Sequence, residues 1–186
     1  MEEDEIIVRR ILQGEQAAFR SLVDIHQPLV YHMINRLVDH EDDRQDVCQE
    51  VFLKVFRKLP SFRFQSKLST WIATIAYRHT LNHLRRTKRA ATTSLDKVSM
   101  KIEDHRPLAD QQIDQNYITN QVHHMIRQLP EKYRIVLTLY HLEDMPYAEI
   151  AQVCDMPEGT VKNYIFRARK LLKEKLERIY KKEELL

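Results

Sequence analysis

Glycine is almost missing: Gly14 and Gly159 are the two in 186 residues. That scarcity argues against a fold built on many tight β-turns and for an all-helical chain in which each glycine marks a helix boundary. Cysteine is equally sparse. Cys48 and Cys154 stand far apart inside apolar helical patterns with no CxxC spacing, and read as small core residues of a reduced cytosolic protein. No apolar run approaches the roughly 18 residues of a membrane span. The N-terminal MEEDE is acidic rather than basic, so no membrane insertion is expected and the protein is placed in the cytoplasm. A strong charge bias is also lacking, because the net charge is only +3. Any nucleic-acid argument therefore rests on where the charge sits. What is present is a chain 43% hydrophobic and 31% charged, enough to bury one core or to divide into two small domains.

Residues 3 to 13 carry Ile6, Ile7, Arg10 and Ile11 at helical spacing, with Gly14 as the stop. A second helix from about Glu15 places Ala18, Phe19, Leu22, Val23 and Ile25 inward. Pro28 then starts a third pattern through Leu29, Val30, Met33, Ile34, Leu37 and Val38. These segments carry no chemistry. The cluster His40 to Asp46 opens the next helix, where carboxylates suit the positive end of the helix dipole. His40, Asp42, Asp43 and Asp46 also allow a nuclease-like metal site to be imagined.

Projected at 100° per residue, the helix from Asp43 to Leu59 gathers Val47, Cys48, Val51, Phe52, Val55, Phe56 and Leu59 on one apolar face. Asp46, Gln49, Glu50, Leu53 and Arg57 fall on the opposite side. An exposed leucine in a polar stripe is either a partner-binding face or a stray apolar residue on a solvated one. Pro60 ends this helix. In the following loop Phe62 and Phe64 alternate with Arg63, Gln65 and Lys67, an arrangement that suits a single nucleic-acid strand, although both rings could equally tuck into the core.

Ser69 is placed as N-cap of a helix from Thr70 to Arg86, with Ile72, Ile75, Ala76 and His79 inward. A second stripe joins Trp71, Thr74, Arg78, Asn82 and Arg85. Guanidiniums hold phosphate or a guanine edge and an amide reads a base edge, whereas Trp71 fits either the core or a stacking platform. Arg85, Arg86, Lys88 and Arg89 add a basic cluster. His79 and His83 lie one turn apart, but no third ligand accompanies them, and no cofactor, metal or catalytic residue is expected.

From Thr87 to about Gln112 the periodicity fades into a polar linker. The expected division is a first helical domain over 1–90, a flexible linker over 91–112 and a second helical domain over 113–186. In the second, helices are predicted over Ile113 to Leu129 and Glu131 to His141, the latter with Tyr133, Val136, Leu137 and Tyr140 inward. Pro146 starts a short helix packed through Ile150, Ala151 and Val153, the stretch Asp155 to Gly159 turns the chain, and Thr160 caps a longer helix. This is a helix-turn-helix pattern. Val161, Ile165, Ala168, Leu172 and Leu176 make its buried stripe. Lys162, Asn163, Phe166, Arg167, Lys170 and Lys173 lie opposite or beside it, as on a recognition helix whose Asn163 and Arg167 reach base edges.

These blocks resemble the extracytoplasmic-function (group IV) sigma factors of bacterial RNA polymerase. DDRQDVCQEVFLKVF is similar to the family's DxxDxxQEVF block. RFQSKLSTWIATIAYRHTLNHLRR is similar to its loop and TWLxxIAxNxxxDxxR helix, and LPEKYRIVLTLYHLEDMPYAEIAQVCDMPEGTVKNYIFRARKLL to its LPxxxRxVxxL, EIA and GTVKSRxxRAR blocks. The resemblance implies a non-enzymatic specificity subunit with a sigma region 2 bundle and a sigma region 4 helix-turn-helix. Asp46, Gln49, Glu50 and Leu53 would dock on the β′ clamp helices of core polymerase, whose β flap is a further partner. Phe62, Arg63, Phe64 and Lys67 would capture an extruded minus-10 base, while Arg78, Asn82, Arg85 and Arg86 read and hold that element. Thr160, Lys162, Asn163, Phe166, Arg167 and Lys170 would engage minus-35 duplex. An anti-sigma factor is implied as regulator.

The chain departs from the pattern on its DNA-facing stripes. Ala73 and Thr74 stand for the usual Tyr and Arg, Asn82 for a frequent Asp, and Asn163-Tyr164 for Ser-Arg, so the promoter sequence does not follow from the family. The rival readings are a free-standing helix-turn-helix regulator, which would bind duplex alone, and a metal-dependent nuclease.

Overall fold

The structure, a computed structural model, describes residues 2–93 and 124–183, and every regular element among them is helical. Helix α1 (Glu2–Leu12) stops where Gly14 takes φ +91°, a conformation open to glycine because it has no Cβ. Arg10 reaches across the corner to Glu15 at 2.7 Å. Val8 and Ile11 are the buried residues of α1, while Ile6 points outward, 55% exposed.

Helix α2 (Gln16–Asn35) runs unbroken through Pro28, so the expected helix start at Pro28 is corrected to a single helix. The missing N–H deprives the carbonyl four residues back, at Asp24, and that turn is exposed, where water can replace the lost partner. Ala18, Leu22, Leu29, Val30, Met33 and Ile34 are buried as expected. Ile25, expected inward, is 63% exposed; it lies about a quarter turn from the centre of that stripe.

Helix α3 (Glu41–Lys58) begins two residues before the expected Asp43, with Glu41, Asp42 and Asp43 in its first turn. Arg44 does not follow its acidic neighbours into solvent. Its guanidinium is turned inward, 7% exposed, donating to the carbonyls of Val38 at 2.9 Å and Asp39 at 2.6 Å, which ties the α2–α3 loop to the helix. Phe56, placed inward by periodicity, is 51% exposed and meets Phe19 edge-on at 4.9 Å.

A single 3-10 turn (Leu59–Ser61) leads to the loop and then to α4 (Leu68–Thr93). The helix starts before Ser69, so Ser69 is not its cap. It also continues past Arg86, because RTKRAATT contains good helix formers and no glycine or proline. Residues 91–93, expected to open the linker, are the last residues of α4; the rest of the linker expected to 112 and most of the helix expected from Ile113 lie outside the described residues.

The second module shows a helical stretch over 124–127, then α5 (Glu131–His141), α6 (Tyr147–Cys154) and α7 (Glu158–Glu183). Asp155, at φ 54°, makes the left-handed turn after α6. Gly159 makes no turn. It sits inside the first turn of α7, and Thr160 follows it within the helix rather than capping it; the carbonyl of Pro157 receives the Thr160 N–H at 2.9 Å. The two glycines should therefore respond oppositely to alanine. Gly159→Ala, with open space around its Cβ and no positive φ, should stabilise by about 0.5 kcal/mol. Gly14→Ala should destabilise by about 1 kcal/mol, because L side chains disfavour its φ. Urea denaturation midpoints check both.

The first core lies between α2, α3 and α4, capped by α1; α5, α6 and α7 pack on one another. The two modules also touch. Helix α6 lies against α4, so that Ile150, Val153 and Cys154 continue the apolar cluster containing Ile72, Ala73 and Tyr77.

Candidate nucleic-acid interface

On α3 the apolar face points into the bundle and leaves Asp46, Gln49, Glu50, Leu53 and Arg57 exposed together, with Leu53 56% exposed. One of these side chains is fixed from a neighbouring helix. His79 of α4 lies 2.7 Å through Nε2 from Glu50 and 3.2 Å through Nδ1 from the Lys54 ammonium. An ammonium only donates, so Nδ1 accepts and Nε2 carries the proton given to Glu50. Spacing alone offered His79 only as a core residue or half of a metal pair. The bridge from α3 to α4 is a tertiary contact with no local signature.

The loop after α3 places its two rings differently. Phe62 is 6% exposed and forms a base on which Phe64 at 4.7 Å and Trp71 at 5.1 Å are laid. Phe64 is 36% exposed at φ 55°, a strained conformation for an aromatic residue that turns its ring outward beside the exposed Arg63 and Lys67. Trp71 is half-buried, with one part in the core and the rest bordering the stripe on α4. Along that stripe Arg78, Asn82, Arg85 and Arg86 are all exposed. Loop and stripe are contiguous, so an aromatic edge runs directly into guanidiniums and an amide.

On α7, Val161, Ile165 and Ala168 are buried, and Lys162, Asn163, Phe166, Arg167 and Lys170 face solvent, Phe166 at 68% exposure. Lys162 is held one turn from the start of the helix by Glu158 at 2.8 Å and lies 5.5 Å from the centre of the Tyr147 ring. That ring stacks on Tyr140, which also receives the Arg169 guanidinium at 5.4 Å. The aromatic pair packs the end of α5 on the start of α6. Burial and the Arg169 charge keep the nearby His141 below the ordinary histidine range.

Two clusters of residues from different modules are unsignalled by the sequence pattern. Glu149 of α6 lies 2.6 Å from the Lys67 ammonium and receives the Thr70 hydroxyl at 2.7 Å, and Asp155 lies 3.8 Å from Arg78. Glu143, after α5, meets His32 of α2 at 2.6 Å.

Comparison with known proteins identifies both modules. Residues 22–90 match the sigma-70 region 2 family and residues 119–172 the sigma-70 region 4 family. The RNA polymerase sigma-H factor of Pseudomonas aeruginosa is 36% identical over 185 residues, covering 95% of each chain. The ECF RNA polymerase sigma-E factor of Escherichia coli K12 is 34% identical over 181 residues, covering 94% of each chain, and SigW of Bacillus subtilis is 29% identical over 177 residues, covering 91% of this chain and 94% of its own. Among solved structures, CnrH in complex with the cytosolic domain of CnrY gives a TM-score of 0.69 at 23% identity, covering 94% of this chain and 97% of that one. RpoE in complex with the anti-sigma factor NepR from Bartonella quintana gives 0.69 at 22% identity, covering 86% and 96%. Two helical modules in this order define a sigma-70 type factor; the chain belongs to the sigma-70 family, in its extracytoplasmic-function branch.

Proposed function

We infer that this protein is an alternative sigma factor: it binds core RNA polymerase in the cytoplasm, directs it to promoters and catalyses no reaction itself. The observation that carries this reading is the joint exposure of the α3 stripe, the Phe64 edge with the α4 stripe, and the outer face of α7 on one chain. A free-standing regulator would use the α7 face alone and leave the other two unexplained. The nuclease reading has no support in geometry, since no three His, Cys, Asp or Glu side chains among the described residues converge as a metal site.

In this reading the modules divide near residues 90 and 113. Asp46, Gln49, Glu50 and Leu53 dock on the β′ clamp helices, with Leu53 as apolar anchor, His79 holding Glu50 in place and the polar neighbours setting register. Asn163 and Arg167 read base edges at minus-35, while Thr160, Lys162 and Lys170 neutralise phosphates and Phe166 packs against the groove. At minus-10 an unpaired base stacks by Phe64, which Phe62 supports from beneath, and Arg63, Lys67, Arg78, Arg85 and Arg86 hold the strand, with Asn82 reading a base edge. Capture of a flipped base stabilises the melted state without fuel, because a paired base cannot occupy that place. The β flap and an anti-sigma factor are the remaining partners; the solved neighbours CnrH and RpoE are themselves held by CnrY and NepR.

The test is a gel shift on promoter duplex with protein alone and with core polymerase. Specific shift only with polymerase is the expected result. Equally tight specific binding by the protein alone would favour the free-standing regulator.

A further inference from the structure

Helix α4 begins without a local cap. Lys67, which precedes it, carries no side-chain acceptor, Ser69 already lies inside the helix, and the Ser66 hydroxyl is turned to the Lys67 carbonyl at 3.3 Å. Yet Leu68 is fully buried, so its N–H, one of the first-turn amides with no partner inside the helix, cannot turn to water. The partner comes from α1. The Asp4 carboxylate accepts the Leu68 N–H at 3.5 Å, across 64 positions of chain. That distance is long for a neutral bond, but an anion at the positive end of a helix dipole is attracted over a greater range than a neutral acceptor. His26 of α2 feels the same carboxylate: burial holds its imidazole below the ordinary range, and the Asp4 charge opposes that. Asp4 thus stands where α1, α2 and α4 meet.

Helix α1 also packs on the 3-10 turn Leu59–Ser61, where the chain enters the loop that carries Phe64. It therefore braces both ends of that loop, the entry by packing and the exit through Asp4. Within the loop the Phe62 N–H returns to the Leu59 carbonyl at 3.0 Å, and the Phe64 ring rests on the Phe62 ring at 4.7 Å. Lys67 pairs with Glu149 of the second module, whereas the tie to Asp4 lies within the first. Phe64 nevertheless keeps φ 55°, a strained conformation that persists only where the surrounding structure fixes the chain on both sides.

We propose that Asp4 is a positioning residue for promoter melting: from α1 it caps α4 and holds the intervening loop so that the Phe64 ring stands ready for an unpaired base. The proposal rests on the minus-10 reading of Phe64, and it gives a role to a helix whose own sequence shows no chemistry. An unbraced loop would present the ring for only a fraction of the time. Apparent affinity for the strand falls in proportion to that fraction.

The experiment uses holoenzyme reconstituted from core polymerase and the full chain. Fluorescence anisotropy reads its binding to a labelled fork-junction DNA whose minus-10 segment is single-stranded, taken from a promoter selected with that holoenzyme. Asp4→Ala should weaken binding about fivefold while affinity for core polymerase stays unchanged. Asp4→Asn, which keeps an acceptor oxygen without the charge, should lose about twofold. Glu5→Ala removes the same charge from an exposed position of α1 and serves as the control. In the Phe64→Ala background, itself weaker by about tenfold, Asp4→Ala should cost little more, since no ring is left to place. In the free protein, amide hydrogen exchange over residues 66–71 should quicken with either Asp4 variant while that of α3 does not change. A loss no larger than the control's, an equal loss in the Phe64→Ala background, or a parallel fall in affinity for core polymerase would overturn the proposal. So would unchanged exchange in Asp4→Asn, a result that stands even if Asp4→Ala fails to fold. Phe64→Ala holoenzyme that binds the fork as tightly as wild type would bring down the minus-10 reading itself, and the proposal with it.

Discussion

Leu53→Asp should weaken association with core polymerase by on the order of a hundredfold, with little loss of stability. The side chain is more than half exposed, so a carboxylate there costs the fold only its poorer helix propensity, about 0.5 kcal/mol. At a docked interface the same change removes a buried apolar anchor and places an unpaired charge in its stead, against a stripe already acidic at Asp46 and Glu50. His79→Ala should weaken the association by a smaller factor, about threefold, by freeing the Glu50 carboxylate to sample other rotamers. Surface plasmon resonance against immobilised core polymerase, paired with thermal denaturation, distinguishes docking from folding. Unchanged affinity for Leu53→Asp would remove α3 from the interface.

Arg44→Leu should cost about 3 kcal/mol of folding stability. The guanidinium is buried and satisfies two loop carbonyls, at Val38 and Asp39, with a weaker 3.4 Å contact to Glu41. Leucine fills part of the space but donates nothing, leaving the carbonyl of the buried Val38 without that partner, while the carbonyl of the exposed Asp39 can turn to water. The loss should appear as a shifted urea midpoint with an unchanged slope, since the surface exposed on unfolding is nearly the same. Arg57→Leu, on the exposed face of the same helix, should change the midpoint little.

The contrast between these two arginines shows what was legible in the sequence and what was not. Periodicity located α3 and its outer stripe because burial follows the 3.6-residue repeat, and the same repeat exposed the face of α7. It could not see Arg44, whose partners are carbonyls of a loop, a group every residue carries. Pro28 misled for a related reason: the cost of a proline inside a helix depends on whether the deprived carbonyl meets water, and that is a tertiary property. Gly159 resembled a turn residue, yet the turn is made by Asp155 two residues before Pro157. Phe62 and Phe64 have equal local claims to exposure, and only the packing of Trp71 from the next helix separates the buried ring from the exposed one. The ion pairs from Glu149 and Asp155 reach residues 82 and 77 positions away in the chain, beyond the reach of any local pattern.

In the function proposed, one chain supplies both the polymerase-docking face and the strand-capturing edge. Permanganate footprinting of unpaired thymines on a promoter selected with the reconstituted holoenzyme tests it most directly. Reactive thymines are expected around minus-10 with core polymerase and this protein together, and their loss with Phe64→Ala although the holoenzyme still forms. Opening that survives Phe64→Ala combined with Asn82→Ala, or that appears with this protein and no polymerase, would contradict it.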